Sequence, residues 1–281
     1  MLSELSFIKM HGLGNDFAVI DQRDRAFGLT REYVRAMADR RTGIGFDQLL
    51  VIEKPHQPGV DVHCRIFNSD GSEVAQCGNG MRCVVRYAIE HRLVPGPTVV
   101  VSTNERVMHG HWDGGGQVTV DMGMPDFSAK ATPLLLPDQP EPPYRLSCSG
   151  EEISFHTVNV GNPHAVIVVE EHVPEEIESV GLWLSTHPAF PEGTNVGFLK
   201  ILSSEHGDLV VYERGAGLTQ ACGSGACAAM VVAHAQGLLG KRSHISQPGG
   251  ALVVSWQGID QAIEMTGPAA SVYKGVYTLT P

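Results

Sequence analysis

The sequence predicts an α/β protein of the α+β kind, with two similar domains that each curl a sheet around one buried helix. Three observations carry that expectation. Short β-branched segments outnumber helical ones, one helical stretch has no polar face, and the chain holds two ordered copies of one set of motifs. At 281 residues the chain is long enough for two ordinary domains, and its 42% apolar content can fill their cores.

Strand signals run through the chain. Val60, Val62, Cys64 and Ile66 alternate within VDVHCRIF, as in a half-buried strand. QLLVIE, TVVVST, QVTVDM, HAVIVV, DLVVYE and ALVVSW have the same β-branched character. Helices are fewer. Thr30 is a suitable N-cap for a helix carrying Tyr33, Val34, Met37 and Ala38 on one stripe, with Gly43 near its end. From Asn79, Met81, Val84, Val85, Ala88 and Ile89 fall on one helical face. From Ser224, the run SGACAAMVVAHAQGLL is apolar nearly all the way round, which places it inside a curled sheet rather than on one.

The repeat has three anchors. Gly14–Ile20 (GNDFAVI) aligns with Gly161–Ile167 (GNPHAVI) at an offset of 147, with five of seven residues identical. The same offset sets Gln48 on Asn195. An offset of 145 sets Cys77-Gly78-Asn79-Gly80 on Cys222-Gly223-Ser224-Gly225, and Phe67 on Tyr212. Their common order implies two copies joined near TVDMGMP, ahead of the Pro-rich loop PLLLPDQPEPP. The expected domains are 1–121 with 268–281, where SVYKGVYTL returns as a strand, and 122–267.

Each Cys-Gly-x-Gly sits after a strand and immediately before a helix. The sulfur therefore lies beside first-turn N–H groups, which favour a thiolate and a bound carboxylate. If the copies pack about a pseudo-twofold axis, Cys77 and Cys222 face one another across an interdomain cleft. Two acid–base groups on opposite faces of one carbon are what stereoinversion requires: one removes the α-proton and the other delivers a proton. Cys64, Cys83, Cys148 and Cys227 read instead as small buried hydrophobes.

Other functions fit less well. The balance of 20 Lys+Arg against 31 Asp+Glu gives a net charge of −11, which argues against nucleic acid and anionic membranes as partners. No apolar run reaches the ~18 residues of a membrane span. The N-terminal residues lack a secretory core, and six scattered cysteines suit a reducing compartment, so a cytoplasmic protein is expected. Gly223–Ala228 matches the loose GxGxxA dinucleotide pattern, but no acidic residue follows at the next strand end. The cysteine spacings lack CxxC, so no metal is expected. A hydrolase using one cysteine with His164 would leave the other cysteine idle.

The blocks HGLGNDF, NSDGSEVAQCGNGMRC, VNVGNPHA, GTNVGF and YERGAGLTQACGSGACA together resemble the diaminopimelate epimerase family, in its order and over most of the chain. That resemblance implies two pseudo-symmetric domains, each a mixed sheet around a central helix. It also implies cofactor-independent interconversion of LL- and meso-diaminopimelate for lysine and cell-wall precursor synthesis. Cys77 and Cys222 become the acid–base pair, and the amides of Gly78, Asn79, Gly223 and Ser224 hold the reacting carboxylate. Asn15, Gln48, Asn68, Asn162, Asn195, Glu213 and Arg214 match substrate-binding positions, and His164 and Glu213 match positions that tune the cysteines. The family is often dimeric, so a homodimer enters as an expectation. The nearest alternative is a proline or hydroxyproline racemase or epimerase with the same two-thiol chemistry; the carboxamides and Arg214 argue for a longer, doubly charged substrate.

Overall fold

A computed structural model describes residues 3–25, 27–74, 77–112 and 114–279. The chain divides into two compact units, Met1–Val120 with Thr266–Pro281, and Asp121–Met265.

In the first unit, β1 (Ser3–Gly12) and β2 (Asn15–Asp21) form an antiparallel hairpin. Helix α1 (Arg31–Ala38) leads to β3 (Gln48–Glu53), which runs parallel to β2 with Phe17 opposite Gln48. Strand β4 (Val62–Asn68) is antiparallel to β3 and pairs with the short β5 (Glu73–Val74). After α2 (Gly78–Glu90), β6 (Thr98–Ser102) lies parallel to β4 and is followed by the antiparallel β7 (Val107–His111) and β8 (Gln117–Asp121). The sheet bends around α2, which packs against β1, β2, β3, β6 and β7.

The second unit repeats this plan. Strands β9 (Tyr144–Cys148), β10 (Glu151–Asn159) and β11 (Pro163–Val169) run antiparallel in sequence, and α3 (Pro174–Ser185) leads to β12 (Asn195–Ser203). Strand β12 is parallel to β11, with His164 opposite Asn195, the counterparts of Phe17 and Gln48 at the offset of 147. Then β13 (His206–Glu213), β14 (Gly217–Leu218), α4 (Gly223–Ala235), β15 (Arg242–Gln247) and β16 (Gly250–Ser255) reproduce the pairing pattern of β4 to β7. Helix α4 touches β10, β11, β12, β13, β15 and β16, and every residue from Gly223 to Ala233 is buried. Its lack of a polar face follows from that enclosure. Strand β17 (Glu264–Pro268) crosses the unit boundary, and β18 (Ala270–Leu279) lies antiparallel to β1, from Glu4 opposite Thr278 to His11 opposite Ala270.

Several local expectations change. Strand β4 begins at Val62 and is buried on both faces, including His63 and Phe67. Phe67 joins Leu49, Val51, Val34 and Met37 beneath α1, so a second layer of side chains covers the face that alternation left to solvent. Thr30 does cap α1, its hydroxyl accepting from the Tyr33 N–H at 3.3 Å. Gly43, however, lies beyond the helix end: a Cβ there would come within 2.3 Å of the Ala36 carbonyl oxygen, so close approach and not capping requires glycine. Cys148 is half-exposed on β9, whereas Cys64, Cys83 and Cys227 are fully buried. Helix α3 carried no clear apolar stripe; it starts on Pro174, has Glu175 and Glu176 in its first turn, and buries Ile177 and Leu184 against Tyr144 and Phe155. Among the described residues, no helix is long and apolar enough to cross a membrane.

Candidate active site

Both cysteines are helix N-caps. Cys77 precedes α2 in an extended conformation, and its sulfur accepts from the Gly80 N–H at 3.4 Å. Cys222 precedes α4 in the same way, accepting from Gly225 N–H at 3.3 Å. A sulfur thus takes the role a serine or aspartate oxygen usually plays. The helical ladders begin at Met81 N–H to Cys77 O and Ala226 N–H to Cys222 O, at 2.8 and 3.0 Å. The amides of Gly78 and Asn79, and of Gly223 and Ser224, lie ahead of those ladders at the positive helix ends.

In the first unit the Cys77 thiol donates to Asn15 Oδ1 at 3.7 Å, and Asn79 Nδ2 donates to the same oxygen at 3.4 Å. Asn15 Nδ2 in turn donates to Asp47 Oδ2 at 3.0 Å. Gln48 and Asn68 face each other across β3 and β4, with Gln48 Nε2 donating to Asn68 Oδ1 at 2.9 Å and Asn68 Nδ2 donating to Ser72 Oγ at 3.2 Å. Gln48 Oε1 is buried and has no hydrogen-bond partner among the described residues, which makes it an acceptor available to a ligand.

In the second unit His164 Nε2 lies 3.0 Å from Asn162 Oδ1 and 3.1 Å from Ser224 Oγ, and Ser224 Oγ lies 3.5 Å from the Cys222 sulfur. An N–H on Nε2 donates to both oxygens, which leaves the Ser224 hydroxyl hydrogen for sulfur. Cys222 N–H is held by Gln247 Oε1 at 2.7 Å. Asn195 bridges two segments: its Nδ2 donates to Pro163 O at 3.0 Å and its Oδ1 accepts from the Arg214 N–H at 3.0 Å. The Arg214 side chain reaches Glu192 O at 2.6 Å, and Thr219 Oγ1 donates to Glu213 Oε1 at 2.6 Å. Gly193 keeps this arrangement open. Its φ is +69°, and a Cβ there would meet Arg214 Cδ at 2.9 Å.

Burial reverses one electrostatic expectation. The position at a helix N-terminus suggested a thiolate at Cys222, yet its sulfur is enclosed, and burial pushes the thiol well above its ordinary value. The Glu213 carboxylate pushes the same way, while Ser224 and the Gly225 amide oppose it without prevailing. Cys222 therefore rests as a thiol. Of the two residues named as tuning positions, Glu213 bears on Cys222 through its charge, whereas His164 reaches Ser224 Oγ and not the sulfur. Burial, and then the charge of Arg214, pull His164 down to about 3, so it is neutral near pH 7.

His164 carries a stability prediction. Its folded value lies below the 6.5 of an ordinary histidine, so at acid pH the unfolded chain takes up a proton that the folded chain refuses. The stability it contributes is present above pH 6.5 and is lost as the pH falls toward 3, at up to about 1.4 kcal/mol per unit. Urea melts at pH 7 and pH 5 are expected to differ by about 2 kcal/mol more in the wild type than in His164→Gln. An equal pH dependence in both would remove His164 as the cause.

Gln247, Asp47, Thr219 and Glu192 were not legible as site residues. Each acts through a single side-chain or carbonyl atom brought in from another segment, and only the adjacency of Asp47 to Gln48 offered a sequence signal. Among the described residues one trio of potential metal ligands, Glu53, His56 and His63, gathers within 4.8 Å; neither capping cysteine belongs to it, and Arg65 already lies 3.7 Å from Glu53.

The model of the family described as diaminopimelate epimerase matches residues 7–128 and 156–272, which include both capping cysteines and all the carboxamides above. The chain belongs to the diaminopimelate epimerase family. Within it, the diaminopimelate epimerase of Coxiella burnetii (strain Dugway 5J108-111) is 46% identical over 272 residues, covering 97% of this chain and 98% of the relative. That of Ectopseudomonas mendocina (strain ymp) is 45% identical over 271 residues, covering 96% and 98%. Membership makes the chain an amino-acid isomerase by family. The fold extends further than the sequence similarity. A hydroxyproline epimerase from Agrobacterium vitis superposes with a TM-score of 0.73 at 16% identity, over 98% of this chain and 93% of that one. A phenazine biosynthesis protein of the PhzF family from Bacillus anthracis gives 0.67 at 14% identity, over 99% and 100%.

Proposed function

We propose that this chain interconverts LL- and meso-diaminopimelate, with Cys77 and Cys222 as the two acid–base groups. The observation that carries the reading is the duplicated sulfur cap: two units of one plan each place a cysteine at the positive end of an enclosed helix. The reaction requires the two sulfurs to reach one α-carbon from opposite faces. One, as thiolate, takes the α-proton, and the other returns its thiol hydrogen to the opposite face, so the proton count is unchanged. With Cys222 resting as a thiol, the turnover that begins with Cys77 as base starts from the favoured state of Cys222. The reverse turnover requires Cys222 to lose its proton, and the Glu213 carboxylate is the neighbouring acceptor.

Negative charge spreading into the reacting carboxylate is met by the amides of Gly78, Asn79, Gly223 and Ser224. Each such donor is worth about 3 kcal/mol in a water-excluded site. Asn15, Gln48, Asn68, Asn162 and Asn195 offer carboxamide contacts to the substrate, and Glu213 suits an ammonium. Arg214 suits the distal carboxylate, which proline-type substrates lack. The chemistry asks for no cofactor, and a cytoplasmic setting and a homodimer belong to the same proposal.

Incubation of the purified protein with LL-diaminopimelate in D₂O is expected to yield meso product carrying deuterium at the inverted carbon. Product without deuterium would sink the two-base route. Turnover of proline or hydroxyproline in place of diaminopimelate would move the chain to the alternative substrate class.

A further inference from the structure

We propose that Asp47 sets the direction of the Asn15 carboxamide and thereby makes Asn15 an acceptor toward the Cys77 thiol. This role for Asp47 deepens the function proposed above, because it rests on Cys77 as a reacting sulfur. A carboxamide has two ends of similar size, and its direction is decided by its neighbours. Asp47 Oδ2, 3.0 Å from Asn15 Nδ2, can only accept, so the NH₂ end must face it. The oxygen is then turned to the two donors on the other side, the Cys77 thiol at 3.7 Å and Asn79 Nδ2 at 3.4 Å.

The Asp47 carboxylate is itself held in place. Asp16 N–H donates to Asp47 Oδ2 at 3.1 Å, and Asp47 N–H returns a bond to Asp16 Oδ1 at 3.0 Å. Arg40 Nη2 spans both aspartates at 2.7 Å each, and Lys9 Nζ reaches Asp16 at 2.6 Å. Burial alone would raise the Asp16 carboxyl, but Arg40 and Lys9 hold it well below the usual range, so Asp16 stays charged. Asp47 O also accepts from Ser69 N–H at 3.1 Å, tying the same loop to the residue after Asn68. The buried thiols of Cys64 and Cys83 also lie within electrostatic reach of Cys77, and burial pushes both up.

An acceptor aimed at a thiol stabilises the protonated form, whereas a donor would stabilise the thiolate. Asp47 is thus a positioning residue: it keeps the hydrogen on Cys77 until another group engages Asn15 Oδ1. Asp47→Asn offers Asn15 a neighbour that both donates and accepts, which frees the carboxamide to turn its NH₂ toward sulfur.

The pH dependence of iodoacetamide alkylation, followed at the Cys77 peptide by mass spectrometry, tests this whether or not the chain epimerises. The Cys77 value is expected to fall by about one pH unit in Asp47→Asn. Asp16→Asn removes the same charge from the same cluster while leaving Asp47 in place, and its effect is expected to be less than half as large. Asn15→Ala deletes the acceptor outright and should also lower the Cys77 value. An unchanged or raised value in Asp47→Asn or Asn15→Ala overturns the proposal, and so do equal falls in Asp47→Asn and Asp16→Asn, which would assign the effect to net charge alone.

Discussion

Replacing either Cys77 or Cys222 by serine is expected to lower kcat for epimerisation by about 10²–10⁴-fold, the contribution of a positioned acid–base group. Stability is expected to stay within about 1 kcal/mol of the wild type, because serine is itself a favoured N-cap. Its Oγ can take over the bonds that each sulfur now accepts from Gly80 or Gly225. Retained fold with lost turnover therefore separates the proton-transfer role from the capping role. A hydroxyl does not ionise near neutral pH, so it can replace the cap and not the base. The measurement is epimerisation in D₂O together with a thermal melt of each variant. Near-wild-type turnover in either variant would defeat the two-base model, whatever the melts show.

Arg214→Met is expected to cost about 10²–10³-fold in kcat/KM for diaminopimelate, mostly through KM, which is the loss of a charged, two-point carboxylate contact. The variant leaves the backbone undisturbed, since Asn195 holds Arg214 through its N–H and not its side chain. Methionine retains the apolar stem that lies across Gly193. Removing the guanidinium also removes the charge that helps keep His164 neutral, though burial is the larger cause and persists. Steady-state kinetics decide the matter: a lowered kcat with unchanged KM would place Arg214 away from the distal carboxylate.

Much of this candidate site is legible in the sequence alone. Thr30, Cys77 and Cys222 were each legible as residues at a helix start, because an N-cap contacts residues only two or three positions ahead. The repeat exposed Gln48 and Asn195 as equivalent positions, and the parallel pairing of β2 with β3 and of β11 with β12 sets both at the same place in each sheet. Helix α4 was legible as an enclosed helix because its apolar residues left no face for water. Helix α3 was harder to read, since only Ile177, Gly181, Leu184 and Ser185 are buried and its stripe is broken by glycine and serine.

What the sequence determined by itself is local or periodic: where helices begin, which stretches form strands, that one plan occurs twice, and which two sulfurs sit at equivalent caps. Only the tertiary structure decided the rest. The protonated state of Cys222 comes from burial of its sulfur and from Glu213, and the neutral state of His164 from burial and Arg214. The direction of the Asn15 carboxamide comes from Asp47, 32 residues away along the chain. The physical reason is range. A cap is settled within one helical turn, whereas burial and the sign of a hydrogen bond depend on atoms that only folding brings together.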